Sequence, residues 1–181
     1  MEVIRGQRLI EWMDLEEDST YQQLDTNIRR AWPETRGRQN ATGPVAINQL
    51  EYIPYIQNGE LHVNAVAVSS GNQYQPTVAF RNVQFQEQDG SAITFRAADN
   101  NEYHITPIQL SGSNVRVRCT CLDFYYRFAA WNAGDNSLAG RPAPPYNATG
   151  QRPPVNPTRT PGVCKHIIKV VERLRQARIV T

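Results

Sequence analysis

All three cysteines of this 181-residue chain lie in two tight pairs, Cys119-Thr-Cys121 and Cys164-Lys-His166, the second completed by one of only three histidines. If one ion is held by all four, the 42 residues between the pairs (122 to 163) are pinned at both ends. In a strand, residues two apart point to the same side, so Cys119 and Cys121 can chelate together. In a helix interior the same spacing separates side chains by roughly 200°. Cys164 and His166 can therefore converge only at a turn entering a helix, and Thr160-Pro161-Gly162 supplies such an entry. Three thiolates and one imidazole form a tetrahedral shell suited to structural Zn2+, with no position left for an activated water. The plainer alternative is three buried free cysteines beside a surface histidine. His62 and His104 fall in strand-like segments and are not expected to bind metal. An odd cysteine count argues against a closed disulfide framework and for a reducing compartment.

Around these pairs the chain divides into three stretches. Residues 1–43 read as an N-terminal helix and loop. Ser19 or Thr20 can cap a helix through "TYQQLDTNIRRAW", with Tyr21, Leu24 and Ile28 at helical spacing and Pro33 ending it. "ETRGRQNATG" reads as a loop. Residues 44–113 read as an antiparallel β-rich core, sandwich or small barrel. There "ELHVNAVAV" alternates at Leu61, Val63, Ala65 and Ala67, and "TVAFRNVQFQ" carries a bulge signal near Asn82. "AITFRAA" and "EYHITPIQL" suggest a further hairpin about the turn "DNN". Residues 114–181 read as a zinc-stapled ββα-like module. In "VRVRCTC", Val115, Val117, Cys119 and Cys121 fall on one strand face, opposite Arg116 and Arg118. Residues 122 to 132 suggest one short helix that buries Phe124, Phe128 and Trp131. A proline-rich insertion, 141–162, holds seven of the twelve prolines and reads as an extended arm. The C-terminal helix has an apolar stripe of Ile167, Val170, Val171, Leu174 and Ala177. The fold class is α+β.

The pattern CxC…CxH opening an apolar helix resembles the SWIM-type zinc finger, a ββα module that holds zinc through the positions matched here by Cys119, Cys121, Cys164 and His166. The separation of the pairs is longer than that family's usual one. Such modules are associated with both DNA binding and protein–protein contact. The strings "CLDF" and "NPTRTPGVCKHI" also resemble those of small SWIM-like proteins of tailed bacteriophages. That likeness implies a virion component of the tail, baseplate or neck, assembled in the host cytoplasm.

Charge is polarised. Residues 1–113 carry 8 Lys/Arg against 14 Asp/Glu, whereas residues 114–181 carry 11 against 3. A basic half suits nucleic acid, an acidic partner, or another copy's acidic half. Contact residues for either kind of partner are Arg116, Arg118, Arg152, Arg159, Lys165, Lys169 and Arg173, with Tyr125, Tyr126 and Trp131 able to stack on bases. No phosphate-cradling glycine loop, HExxH or nucleophile elbow is present. The acidic run at Asp14, Glu16, Glu17 and Asp18 reads as a solvated face. No stretch is long and apolar enough to span a bilayer, and no secretion signal is expected. The sequence thus suggests a non-enzymatic structural subunit without a small-molecule substrate, partnered by its own copies or other subunits. The alternative is a SWIM-type nucleic-acid-binding protein.

Overall fold

Thr20 and Gln23 set the start of helix α1 (Tyr21–Ala31). The Gln23 N–H donates to Thr20 Oγ1 at 3.2 Å, and the Thr20 N–H donates to Gln23 Oε1 at 2.7 Å. Two otherwise orphaned amide donors are satisfied by this reciprocal cap. Tyr21, Leu24 and Ile28 are buried along one face, as their spacing predicts. The computed structural model describes residues 18–31, 44–87, 90–144 and 155–181. Pro33 and the loop reading for residues 34–43 lie outside them.

The main sheet is built from β1 (Val45–Tyr55), β2 (Glu60–Ser69), β3 (Asn72–Tyr74), β4 (Pro76–Phe80) and β8 (Val115–Cys119). Its order is β1-β2-β4-β8, with β3 paired to the end of β2, and every pairing is antiparallel. Strict alternation in β2 buries Leu61, Val63, Ala65 and Ala67 on the core face. Ser70 (φ 51°) and Gly71 (φ 77°) link β2 to β3, and two successive positive φ values match the twist of a tight hairpin. The left-handed residue Asn82 (φ 58°) redirects the chain where the sequence signals a bulge. It leads to a separate sheet of β5 (Phe85–Gln86), β6 (Ile93–Arg96) and β7 (Glu102–Ile105), in the order β5-β7-β6. β6 and β7 form the hairpin expected about Asn100. Both sheets are open, so the small-barrel alternative does not hold.

One helix expected after Cys121 is two. Helices α2 (Leu122–Arg127) and α3 (Ala129–Gly134) are separated at Phe128, whose φ of −118° departs from helical geometry. The break keeps Phe124 and Phe128 buried but leaves Trp131 half-exposed, so only two of the three expected aromatics enter the core. Helix α4 (Lys165–Gln176) packs on the sheet against β1, β4 and β8. Ile167, Val170, Val171 and Leu174 are buried as expected, whereas Ala177 is an exposed C-cap. The reason is Arg178, whose φ of 60° turns the chain back towards the core. Ile179 and Val180 are buried in consequence, and Ile108 N–H donates to Ile179 O at 2.9 Å. A single cluster of buried side chains runs from Tyr21 through the main sheet to Val180. Among the described residues, no helix is long and apolar enough to cross a membrane.

Candidate metal centre

The last residue of β8 is Cys119, aligned with Pro76 on β4. Cys121 has left the strand but keeps an extended backbone (φ −73°, ψ 147°) as the N-cap of α2. Its sulfur accepts the Phe124 N–H at 3.3 Å. Cys164 is the N-cap of α4 with φ −89° and ψ 168°, and His166 is the second residue of that helix. This is the entry geometry that two-residue spacing demands, since only a cap residue outside helical φ/ψ can turn its sulfur towards the histidine.

The four side chains converge. Their ligand atoms all lie within 4.8 Å of one another, and all four residues are buried. His166 Nδ1 stands 3.7 Å from Cys119 Sγ and 3.9 Å from Cys164 Sγ. A tetrahedral shell with ligand bonds of about 2.3 Å to sulfur and 2.0 Å to nitrogen has sulfur–nitrogen edges of about 3.5 Å. These two sulfur–nitrogen distances are therefore close to the edges of a shell around one ion. His166 Nε2 is buried and has no hydrogen-bond partner among the described residues.

Crowding three sulfurs in a dry site splits their acidities. Hydrogen bonds from Cys119 and then Cys164 hold the Cys121 thiol well below the usual range. Cys119 is pushed up to about 12, first by its hydrogen bond to Cys121 and also by burial. Cys164 is raised well above its ordinary value, first by burial and then by its bonds to the other two sulfurs. Alone, the site thus disfavours carrying three thiolates at once. A divalent cation reverses the balance by compensating all three charges. Its binding should release protons from the thiols, and affinity should fall on acidification. Calorimetric titration in buffers of different ionisation enthalpy measures the release; heats independent of buffer would contradict it.

Two buried asparagines position the second ligand pair. Asn132 Nδ2 donates to Gly162 O at 3.0 Å, while its Oδ1 accepts the Gly162 N–H at 2.9 Å. Asn156 Nδ2 donates to Arg127 O at 2.7 Å and to Thr160 O at 2.9 Å, and its Oδ1 accepts the Thr160 N–H at 3.1 Å. Helices α2 and α3 are thereby tied to the segment that delivers Cys164. Gly162 is the point of closest approach, because a Cβ there would stand 2.5 Å from Ile28 Cγ2 and 2.8 Å from Phe128 Cε1. Gly162→Ala should cost about 1–3 kcal/mol through overpacking. Urea denaturation of the metal-loaded protein tests this, and an unchanged midpoint would contradict it.

The remaining sequence-predicted residues fall elsewhere. His62 Nε2 pairs with Glu60 at 3.0 Å, and His104 Nδ1 lies 2.8 Å from Thr94 Oγ1, so neither joins the cluster. The basic residues are spread over several internal contacts. Arg118 donates to the Ala139 and Arg141 carbonyls, and Arg116 Nη2 donates to Asn136 Oδ1 at 3.2 Å. Arg159 lies over the Trp131 ring with its guanidinium carbon 5.7 Å from the centroid. Lys165 donates to Ser69 Oγ at 2.8 Å, Lys169 pairs with Glu172 at 2.8 Å, and Arg173 donates to Gln176 Oε1 at 2.9 Å. Arg152 lies outside the described residues. Of the aromatics proposed to stack on bases, Tyr125 and Tyr126 are exposed and edge-to-face with each other.

No family model matches the chain, and no curated protein or solved structure matches it either. The class defined by fold and site is an α+β protein with a buried cluster of three cysteines and one histidine able to hold a metal ion.

Proposed function

We propose that this chain is a non-enzymatic structural subunit of a larger assembly, stapled by one Zn2+ held by Cys119, Cys121, Cys164 and His166. The observation that carries the reading is the convergence of four buried protein ligands on one point. Zinc suits a tetrahedral shell of three sulfurs and one nitrogen, and a shell closed by protein holds no reactive water. Its work is then to fasten the end of β8 and the start of α2 to the start of α4. A cleft of about 350 Å³ on the sheet, lined by Gln49, Glu51, Asn64 and Thr77 among others, has Glu51 as its one ionisable side chain. That lining offers no pairing of acid with base or of nucleophile with base.

Assembly is favoured over nucleic acid by where the cations are spent. Arg118 and Lys165 hold the fold's own carbonyl and hydroxyl oxygens, and Lys169 is neutralised by Glu172. Leu122, Tyr125 and Tyr126 stand exposed on α2, at the metal-bearing end, as apolar surface suited to another subunit. The acidic first part and basic last part of the chain suit head-to-tail contact between copies. The SWIM-like ligand pattern and the phage-like strings support a position for this subunit in a tailed-phage virion, in the tail, baseplate or neck.

Native mass measurement with metal analysis tests the reading. One zinc per chain in a discrete ring-sized oligomer is expected. A monomer that retards DNA at low salt and releases it steeply as salt rises would replace it with the SWIM-type nucleic-acid reading.

A further inference from the structure

Each ligand pair has a middle residue, and both middle residues reach for the same hairpin. Thr120, between Cys119 and Cys121, accepts the Gln75 N–H on Oγ1 at 2.9 Å. Lys165, between Cys164 and His166, donates from Nζ to the buried Ser69 Oγ at 2.8 Å. Ser69 ends β2 beside the turn and Gln75 follows β3 at the open end, so these two bonds grip the β2–β3 hairpin at its turn and at its root. Between them Tyr74 stacks on the His166 imidazole, with ring centroids 4.3 Å apart and planes 29° apart.

We propose that Tyr74 is a positioning residue of the metal centre and that the β2–β3 hairpin, held by Thr120 and Lys165, is the cover that sets how fast the ion leaves. The inference rests on the zinc reading given above.

A ligating imidazole ordinarily has its ring plane fixed by a hydrogen bond from its second nitrogen. Here that nitrogen, Nε2, has no partner among the described residues. Ring orientation must be fixed another way, and a stacked phenol ring does so by restricting rotation about the imidazole plane. Tyr74 is half-buried, with one side on His166. A chelator reaching the imidazole from that side must displace it. β3 is only three residues long and pairs with β2 at Ala67, Val68 and Ser69 alone. β3 has only this short pairing to the main sheet, so the Thr120 and Lys165 bonds help to hold it closed. Placing those two residues inside the ligand pairs couples the cover to the ligands: ordering the pairs around an ion also orders the two anchors.

The test is zinc release from the full-length, metal-loaded protein into excess chelator, well below the melting temperature. Tyr74→Ala should release zinc about 10- to 100-fold faster than the unsubstituted chain, and Tyr74→Phe, which keeps the ring, should match the unsubstituted rate. The double variant Thr120→Val/Lys165→Met leaves Tyr74 in place and should also speed release. Wild-type rates in Tyr74→Ala, or equal acceleration by Tyr74→Phe, would overturn the role of the ring. If Tyr74→Ala does not fold, the double variant decides, and a wild-type rate there overturns the cover. A full-length chain that carries no zinc overturns the metal centre itself, whereas a zinc-loaded chain with unaltered release overturns only the inference made here.

Discussion

Cys121→Ser should melt about 8–16 °C below the unsubstituted protein and should lose its metal. The size follows from linkage: an ion present at 1,000 times its dissociation constant stabilises the folded state by about 4.1 kcal/mol. For a chain of this size each kcal/mol moves the melting point by about 2–4 °C. The substitution is informative because it spares the other work of Cys121. That residue caps α2 by accepting the Phe124 N–H, and serine is among the best N-caps, so the helix start survives. What disappears is the joint between the end of β8 and the start of α4. Limited proteolysis should then release the C-terminal helix faster than from the unsubstituted protein. Chelator should bring the unsubstituted protein down to the same melting point while leaving the variant unmoved. Identical melting of the two proteins, with and without chelator, would contradict the account.

Asn132→Ala should be nearly as damaging without removing a ligand. Asn132 is fully buried, and its amide pairs with both the N–H and the carbonyl of Gly162. Alanine leaves both backbone groups buried without partners, at about 1–3 kcal/mol each, for a total of about 2–6 kcal/mol. Because Gly162 lies two residues before Cys164, the loss should also loosen the second ligand pair. Urea denaturation of metal-loaded protein measures the stability, and metal analysis of the folded variant should still find one ion per chain. A loss below about 1 kcal/mol would show that the clamp does not position the site.

The ligand set is legible because cysteine is so scarce here that its spacing carries most of the information. Local geometry does the rest: two-residue spacing works in an extended backbone, and Cys121 and Cys164 both have one. Alternation in β2 and the 3.6-residue stripes of α1 and α4 are readable for the same reason, that each has one face buried. β1 is harder. Its burial pattern is irregular, with a register shift between Ile47 and Gln49, so no period-two signal survives in "VAINQLEYIPY". The break at Phe128 and the turn at Arg178 are invisible, because neither residue type marks the backbone change it makes. The supports of the metal centre are also hidden. Asn132 and Asn156 look like ordinary polar residues until distant backbone groups reach them, although Asn-Pro at 156–157 is a turn signal. In the sequence Gly162 is only part of a helix entry, whereas its lack of a side chain is what lets Ile28 and Phe128 close over it.

A single ion joining the β-ribbon to the terminal helix is the premise on which the stability predictions and the assembly reading both depend. X-ray absorption at the zinc edge of the purified full-length protein examines it without any substitution. The account predicts one zinc per chain with three sulfurs at about 2.3 Å and one nitrogen at about 2.0 Å. A folded protein containing no zinc, or zinc surrounded by oxygen and nitrogen alone, would contradict it.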